Sequence, residues 1–479
     1  MGPSRGAGRD GLAGVIGVVG AGPAGLAAAW RAALAGHEVV VVERGREVGG
    51  LAGSFEVAGL RVDHGSHRLH PATPPHLLAA LRDLLGDDLQ VRPRHGRIRL
   101  LDRWVAFPLR TGDLMRRMPP AFAARAARDA VTGPLRRPRA DTFGEVVRAG
   151  LGPAVLDAFY APYARKLWDT APDDLAGELA RRRVSAASPL DVARRLVRGA
   201  RPEGRTFLYP RTGFGAIAEA LAESAVAAGA EIRLGRSVER LVARGRAGNA
   251  DGWELHLDDG RRLDVDRVWS TAPLAALARR VGPPLAAPAP ALDAAGRLRH
   301  RAMVLLYVVL DQPRWTEYDA HYFPGPEVAA SRVSEPRNYR DSAKDPADVT
   351  VLCAELPCWV GDATWEGPDD VLAARLADEL ARAGLPAVRV AHAESRRSPH
   401  VYPVYRTGFA DDLGALEAWA HELPSFETFG RQGLFTPDNT HHALAMGWAA
   451  AEALTSDGGW DDPAWRAARD GFRDFVVED

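Results

Sequence analysis

The chain is poor in cysteine, in lysine and in net charge. Its two cysteines, Cys353 and Cys358, lie in LCAELPCWV, without the spacing of a metal site or a disulfide framework. We therefore expect two buried thiols, no bound metal and a reducing, cytoplasmic location. Lys166 and Lys344 are the only lysines, so arginine supplies nearly all positive charge, as is usual in GC-rich bacterial genomes. A net charge of −1 gives no reason to expect nucleic-acid binding.

Long hydrophobic runs are also missing. Residues 12–30 are apolar, but glycines interrupt them, and we expect no transmembrane segment. Residues 1–14 begin MGPSRGAGRD and have no apolar core of a signal peptide, which predicts a flexible N-terminal arm. With 479 residues, 46% hydrophobic and 26% charged, the chain is typical of a globular protein of two to four modules.

A glycine motif follows the first apolar strand, residues 15–19. Gly20, Gly22 and Gly25 have the spacing G-x-G-x-x-G and open an Ala-rich helix. The first glycine permits a tight turn, the second lets a pyrophosphate approach the backbone, and the third lets helix and strand pack closely. The helix N-terminus offers free N–H groups to phosphate. An ordinary glycine turn is the alternative.

The next elements favour a dinucleotide over that alternative. Gly36 suits the helix end, and residues 38–42 form a second strand that ends at Glu43, where a carboxylate can accept hydrogen bonds from ribose hydroxyls. Arg44 and a second glycine pair, Gly49-Gly50, come next. This order resembles FAD oxidoreductases, the class of flavin amine oxidases, protoporphyrinogen oxidases and UDP-galactopyranose mutases. The resemblance implies FAD as cofactor.

The pattern of elements predicts an α/β fold with a Rossmann-like FAD-binding domain and an interleaved α+β substrate domain of mixed sheet plus helical lobe. The predicted parts are an FAD-binding domain (15–71, 206–297 and 402–458), a helical lobe (72–205), a sheet part (298–401) and a C-terminal tail helix (459–479). Ligands in such folds bind at the carboxyl ends of the strands and in the cleft between domains.

Further motifs resemble the branch near UDP-galactopyranose mutase. They are DHGSHRLH at 63–70, Y-x-x-K-x-W at 163–168, SRVSEPRNY at 331–339, YPV at 402–404 and GRQG at 430–433. The resemblance implies cofactor contacts from Gly20, Gly22, Ala24, Gly25, Glu43, Arg44, Gly49, Gly50, Leu51, Gly65, Ser66, His67, Val238, Thr271, Gly433, Leu434, Asn439, Thr440, His441 and Ala443. It implies substrate contacts from Trp168, Arg332, Tyr402 and Arg431.

The chain also departs from that branch. Mutases have a tyrosine after the arginine of the last motif, which helps to hold the sugar-nucleotide diphosphate, and this tyrosine is missing here. Where relatives have an acid, this chain has His441. Neither lysine stands where amine oxidases keep the lysine of a lysine–water pair. These departures weaken the case for a mutase and for a simple amine oxidase.

The chemistry of the site is expected from a helix end and three histidines. Asp438, Asn439 and Thr440 are good N-cap residues for a helix running to about residue 454. In the superfamily that it resembles, this helix points at the flavin pyrimidine edge, where its dipole stabilises negative charge on reduced flavin. His67 and His441 are candidates for proton transfer, with Arg431 as the third predicted catalytic residue, although the histidines also suit packing roles. We expect His442 to face the interior.

Residues 91–140 hold 13 arginines, three aspartates and no glutamate. This stretch is compatible with an anionic substrate, an acidic partner, peripheral contact with a membrane, or a plain solvated face.

Three functions remain open. The first is an FAD-dependent oxidoreductase that oxidises a small organic substrate by hydride transfer to flavin N5. The second is a non-redox sugar mutase that uses reduced flavin as nucleophile. The third is a flavin-binding protein without catalysis. The sequence does not identify the substrate, the electron acceptor, the oligomeric state or the pathway.

Overall fold

The computed structural model describes residues 14–109, 111–184, 205–246 and 249–477. The predicted N-terminal arm lies outside them except for Gly14. The α-helices in the described residues are α1 (Pro23–Leu34), α2 (Pro75–Leu85), α3 (Thr111–Arg117), α4 (Pro120–Thr132), α5 (Phe143–Leu151), α6 (Pro153–Val155), α7 (Ala161–Trp168), α8 (Gly177–Arg183), α9 (Ala216–Ala227), α10 (Leu274–Leu277), α11 (Ala289–Arg297), α12 (Ala363–Glu366), α13 (Asp369–Arg382), α14 (Phe409–His421), α15 (Gly430–Gly433), α16 (Thr440–Glu452) and α17 (Asp462–Gly471).

The strands form two large sheets and three small ones. In chain order they are β1 (Ile16–Val19), β2 (Val39–Glu43), β3 (Ser54–Val57), β4 (Leu60–Asp63), β5 (Leu89–Pro93), β6 (Gly96–Leu100), β7 (Arg103–Phe107), β8 (Thr206–Pro210), β9 (Glu231–Leu234), β10 (Val238–Arg246), β11 (Asn249–Leu257), β12 (Arg262–Val265), β13 (Arg267–Ser270), β14 (His300–Leu310), β15 (Ala320–Tyr322), β16 (Arg332–Ser334), β17 (Thr350–Cys358), β18 (His392–Pro403) and β19 (Phe426–Thr428).

A five-stranded parallel sheet in the order β19-β13-β1-β2-β9 carries the glycine motif. Because parallel strands end at the same edge, segments far apart in sequence meet there. The glycine loop follows β1, Glu43 ends β2, Thr271 follows β13, and residues 430–433 follow β19. The topology therefore collects four predicted cofactor segments at one edge.

Helix α1 packs very closely against β1 and the loop after it, and helix α16 packs very closely against α1. A Cβ added to Gly25 of α1 would lie 2.0 Å from the carbonyl oxygen of Gly20, and one added to Gly447 of α16 would lie 2.0 Å from that of Ala24. Only glycine fits these positions without movement of the backbone. The close packing fixes α16 beside the glycine loop.

A seven-stranded mixed sheet has the order β18-β14-β17-β16-β15-β6-β7. Its interior strand β14, between β18 and β17, reads HRAMVLLYVVL and is buried along almost all of its length, as expected for a strand covered on both faces. Helix α13 covers one face through Leu372, Leu376 and Leu380. The Rossmann-like sheet, this mixed sheet and the helices of residues 143–183 confirm the predicted fold class.

The expectation that residues 72–205 are mostly helical is wrong for residues 89–107. There β5 pairs with β8, and the hairpin β6–β7 extends the seven-stranded sheet. The physical reason is the period-two pattern of GRIRL, in which Ile98 and Leu100 are buried and the arginines between them are not. Residues 110 and 185–204 of this predicted lobe lie outside the described residues.

Two other boundaries differ in detail. Tyr402, expected to begin the return to the cofactor domain, still belongs to β18, where it lies opposite Arg301. The predicted tail helix, residues 459–479, is helical as α17 only from Asp462 to Gly471. The division into domains itself stays a prediction.

Candidate active site

The glycine loop after β1 has the geometry of a phosphate cradle. Gly20 has a φ of +105°, in the region that favours glycine, and a Cβ there would lie 2.3 Å from the Thr271 hydroxyl oxygen. A Cβ on Gly22 would meet nothing within 4 Å among the described residues. The backbone of α1's first turn is therefore open at Gly22, where the sequence predicted that a pyrophosphate approaches.

The second glycine pair lies against the first loop. The Gly49 N–H donates to the Ala21 carbonyl at 2.8 Å, and a Cβ added to Gly50 would lie 3.5 Å from the Gly22 Cα. The Glu43 carboxylate accepts from the Ala21 N–H at 2.8 Å and from the Gly45 N–H at 2.7 Å. Both oxygens keep a second lone pair for an outside hydroxyl.

The carboxyl ends of β13 and β19 complete the cradle. Thr271 donates both its hydroxyl and its backbone N–H to the Val19 carbonyl, at 2.9 and 3.0 Å. A Cβ on Gly430 would lie 2.9 Å from the Ala24 Cβ, and one on Gly433 3.1 Å from the Ser270 carbonyl. These short approaches, the open Gly22 backbone and the acid at the end of β2 fit a bound dinucleotide.

Helix α16 begins at this cradle with a closed capping box. The Asn439 side chain accepts from the His442 backbone, while the Asn439 N–H donates to His442 Nδ1 at 3.2 Å. His442 is buried and stacks on Phe475 with ring centroids 4.4 Å apart. Burial lowers the pKa of His442 to about 3, so the imidazole is the neutral acceptor that the cap needs. His442 faces the interior, as expected.

The predicted His441 lies in the same turn and is also buried. Its ring centroid is 4.1 Å from that of His442 and 6.1 Å from that of His70, which belongs to the DHGSHRLH motif. The fold therefore brings the second candidate for proton transfer close to the motif that contains the first.

His67 is half-buried and stacks on Phe214 at 5.2 Å. Its Nε2 lies 3.0 Å from the His64 carbonyl, which assigns the proton to Nε2 and leaves the Nδ1 lone pair free of this bond. Burial lowers the pKa of His67, partly opposed by Asp63. A neutral imidazole with an open lone pair can accept a proton.

Asp63, not predicted as a site residue, anchors this region. Its carboxylate accepts from the Ser54 hydroxyl at 2.6 Å, the Tyr209 hydroxyl at 2.5 Å and the Phe214 N–H at 2.9 Å. These three donors hold β4, β8 and the start of α9 together. Its position among apolar strand residues was the sequence signal.

Arg332 and Glu355 form a largely buried ion pair next to the predicted Gly65-Ser66-His67 turn. The Arg332 guanidinium contacts both carboxylate oxygens, at 2.7 and 2.9 Å, and Glu355 also accepts from the Ser66 N–H at 2.8 Å. Burial lowers the pKa of Arg332, but Glu355 and the neighbouring tyrosines together outweigh it, and the pKa lies above the usual value. Glu355 was missed, although it is the one acid in an apolar strand.

Arg431 and Tyr402, both predicted substrate contacts, lie close to each other. Arg431 donates to the carbonyls of Asp438 and Val401 at 2.5 and 2.7 Å, and its guanidinium carbon is 5.7 Å from the Tyr402 ring centroid. Burial raises the pKa of Tyr402, and the neighbouring arginines oppose this shift. The charge of Arg431 is held by backbone carbonyls, not by a carboxylate hydrogen bond.

Arg183, which sequence reasoning missed, is a third arginine near Tyr402, after Arg332 and Arg431. Its guanidinium carbon lies 5.5 Å from the ring centroids of both Trp168 and Tyr402. Its neighbour Arg182 pairs with Glu178, whereas Arg183 makes no ion pair with the described carboxylates. Nothing in the run of three arginines at 181–183 distinguishes it by sequence.

Other predicted residues are placed less directly. Trp168 is 2% exposed and packs on Phe143 and Tyr163, so only the Arg183 side of its ring faces the group of arginines. Val238 lies near the end of β2, because the Arg236 N–H donates to the Glu43 carbonyl at 2.9 Å. Arg44 is exposed beside the same end.

Lys166 takes no part in the site. Its ammonium donates to the carbonyls of Phe323, Val328 and Ala330. Burial lowers its pKa to about 8, and all three donors are used to fasten a loop. Lys166 therefore holds a loop, and the expectation that neither lysine serves as the lysine of an amine oxidase stays a prediction.

The fold and this cradle define an FAD-binding oxidoreductase of the Rossmann type. Residues 23–435 match the family model "Flavin containing amine oxidoreductase", and the chain belongs to that family. Its cofactor is FAD, and it is an FAD-dependent oxidoreductase. No helix of the described residues has the length and apolarity to cross a membrane.

Known proteins agree with this placement. The chain is 26% identical to a coproporphyrinogen III oxidase of Propionibacterium freudenreichii subsp. freudenreichii over 91% of this chain and 85% of that one. Its fold is similar to that of a reduced UDP-galactopyranose mutase, with a TM-score of 0.78, 20% identity, and coverage of 92% of this chain and 94% of that chain. It is also similar to a putrescine oxidase bound to putrescine, with a TM-score of 0.61, 20% identity, and coverage of 92% and 98%.

Proposed function

We propose that the protein oxidises a small organic substrate by passing a hydride to N5 of FAD, which dioxygen or another acceptor reoxidises. The N-terminus of α16 carries this proposal, because its first turn contains no acid and its N-cap is the neutral Asn439. The partial positive charge of the helix end is therefore not neutralised within its first turn. Placed at the flavin, it favours the negative charge that hydride acceptance creates.

His67 is proposed as the proton acceptor. Oxidation of a carbon next to nitrogen or oxygen releases a proton as well as a hydride. The bond from Nε2 to the His64 carbonyl fixes the tautomer, and burial keeps the ring neutral at neutral pH, so Nδ1 has a lone pair available. His441 is the second candidate, since its ring lies in the first turn of α16.

The arginines support an anionic substrate. Glu355 neutralises Arg332, whereas among the described residues Arg431 is bound by carbonyl oxygens and Arg183 lies against aromatic faces, neither with a carboxylate hydrogen bond. A partly buried excess of positive charge is stabilised by an anionic ligand. We infer that a carboxylate or phosphate of the substrate pairs with these arginines, and that Tyr402 and Trp168 line the binding site.

Anaerobic visible spectroscopy of the flavin-loaded protein tests the oxidation. Amines, porphyrinogens, alcohols and sugar nucleotides are added in turn, and bleaching of the oxidised flavin band identifies the substrate class. For that substrate, we expect Arg183→Met to raise KM by about tenfold, because a charge-assisted hydrogen bond is worth about 1.5–3 kcal/mol. Arg181→Met, in the same helix but exposed and paired with Asp141, is the matched control.

The sugar mutase is the alternative, favoured by the arginines beside Tyr402, which suit a diphosphate. It requires that no compound bleaches the flavin and that a sugar nucleotide forms an adduct only after chemical reduction. Flavin binding without catalysis is the outcome if His67, Arg431 and His441 can all be replaced without loss of function in the host.

Two further inferences concern location. The buried thiols Cys353 and Cys358 support a reducing, cytoplasmic compartment. Exposed Arg125 and Arg128 lie on α4 near Val131 and Leu135, which are 79% and 85% exposed. This combination of cationic and apolar side chains supports peripheral contact with an anionic membrane surface.

A further inference from the structure

The C-terminal segment, residues 472–477, connects three parts of the molecule. Before it, α17 is fastened to β19 by Arg469, whose guanidinium donates to the Thr428 carbonyl at 2.6 Å and pairs with Glu417 at 3.0 Å. Trp465 packs on Phe429 and on Phe472. The segment therefore leaves from a fixed helix that lies on the strand leading to Arg431.

The first connection is to the N-terminus of α16. The Phe475 ring stacks on His442 with an interplanar angle of 9° and a centroid separation of 4.4 Å. His442 is at the same time the acceptor that closes the capping box on the Asn439 N–H. Because a stacked imidazole keeps its orientation, Phe475 holds Nδ1 where the Asn439 N–H needs it.

The second connection is to α8. The Val477 N–H donates to the Arg182 carbonyl at 2.7 Å, and the Val477 side chain is buried. Arg182 precedes Arg183 in the last turn of α8, and its side chain lies 3.7 Å from the Asp438 carboxylate that precedes the cap of α16. Val477 thus fixes the turn that carries Arg183.

We propose that Phe475 and Val477 are positioning residues of the FAD site, through which the C-terminal segment holds the capped end of α16 and the Arg183 turn of α8 in register. The flavin part of this inference rests on the proposed function. Neither residue is expected to touch the substrate or FAD. Their effect passes through His442 and through the Arg182 carbonyl.

The test compares Phe475→Ala with the matched control Val476→Ala, since Val476 is the exposed neighbour in the same segment. Hydrogen–deuterium exchange of the holoprotein is followed for peptides covering residues 438–446. Loss of a cap is worth about 1 kcal/mol, so we expect exchange there to rise by about fivefold in Phe475→Ala alone. The midpoint potential of the bound flavin is expected to become more negative, and Phe475→Tyr to restore both.

Val477→Pro tests the second connection, because proline removes the N–H donor. We expect faster exchange in residues 177–184, with Val477→Ala, which keeps the donor, closer to the wild type. If Phe475→Ala does not fold, Phe475→Leu replaces it in the comparison with Val476→Ala. A wild-type protein that binds no FAD overturns the proposed function, while the exchange comparison still tests the positioning. Equal exchange and equal potential in Phe475→Ala and Val476→Ala overturn this inference.

Discussion

At the scale of single residues, the site is determined by which atoms can approach the backbone. A Cβ added to Gly25 would lie 2.0 Å from the Gly20 carbonyl oxygen, whereas one added to Gly22 would meet no described atom within 4 Å. The Glu43 carboxylate lies beside both positions and keeps free lone pairs. The motif spacing was sufficient to predict the close packing at Gly25 and the open backbone at Gly22, while the contact of Glu43 with a cofactor stays a prediction. Arg183 could not be recognised as a site residue, because its role depends on aromatic rings from other elements.

Gly25→Ala is expected to destabilise the protein by about 1–3 kcal/mol or more, since the added methyl group overlaps a backbone oxygen. The free energy of unfolding in urea measures this. Gly414→Ala is the control, because Gly414 is exposed within α14 with nothing near its Cβ, and it should stabilise by about 0.5–1 kcal/mol. Equal effects of the two substitutions would contradict the packing described.

At the scale of elements, ion pairs connect neighbouring strands, and sequence patterns do not predict which strands are neighbours. The sequence predicted a strand motif around Arg332 but not its partner, because pairing of β16 with β17 is a long-range property of the sheet. At residues 96–107 a period-two pattern was present, and the assignment of these residues to a helical lobe was wrong. The helices α1 and α16 were predicted well because their patterns and caps are local.

Glu355→Ala should cost about 3–5 kcal/mol, because it leaves Arg332 buried without its partner. Combining it with Arg332→Met should recover part of this loss, since the second change removes the unpaired charge. Thermal or urea unfolding of both single variants and the double variant measures the coupling. Strictly additive losses would show that the pair does not act as a unit.

At the scale of the whole molecule, the chain passes repeatedly between the parallel and the mixed sheet, and the site forms where strand ends meet. The order of motifs predicted this crossing. The extent of each part could not be read from sequence, since Tyr402 and the β6–β7 hairpin are assigned only by their pairing partners.

Buried histidines predict the pH dependence of global stability. Burial lowers the pKa of His64 to about 4 and of His300, His321 and His442 to about 3, from an ordinary value of 6.5. Between about pH 6.5 and pH 4 the unfolded chain therefore binds more protons than the folded chain. The stability present above pH 6.5 is lost as the pH falls through this range.

The thermal midpoint should be nearly constant between about pH 7 and pH 8 and fall steeply below about pH 6.5. His321→Asn should give a shallower fall, because one titrating group is removed. A midpoint that does not change between about pH 7 and pH 5 would falsify this account of the buried rings.

The most direct measurement of the central claim is FAD binding by the wild type and by Gly22→Ala, each first stripped of flavin. A methyl group at Gly22 meets no described protein atom within 4 Å but enters the space assigned to the pyrophosphate. We expect both flavin-free proteins to unfold at nearly the same temperature, the wild type to bind FAD and gain stability, and the variant to lose most of its affinity. A folded wild-type protein without affinity for FAD, or a variant that binds it equally well, would contradict the assignment of this cradle.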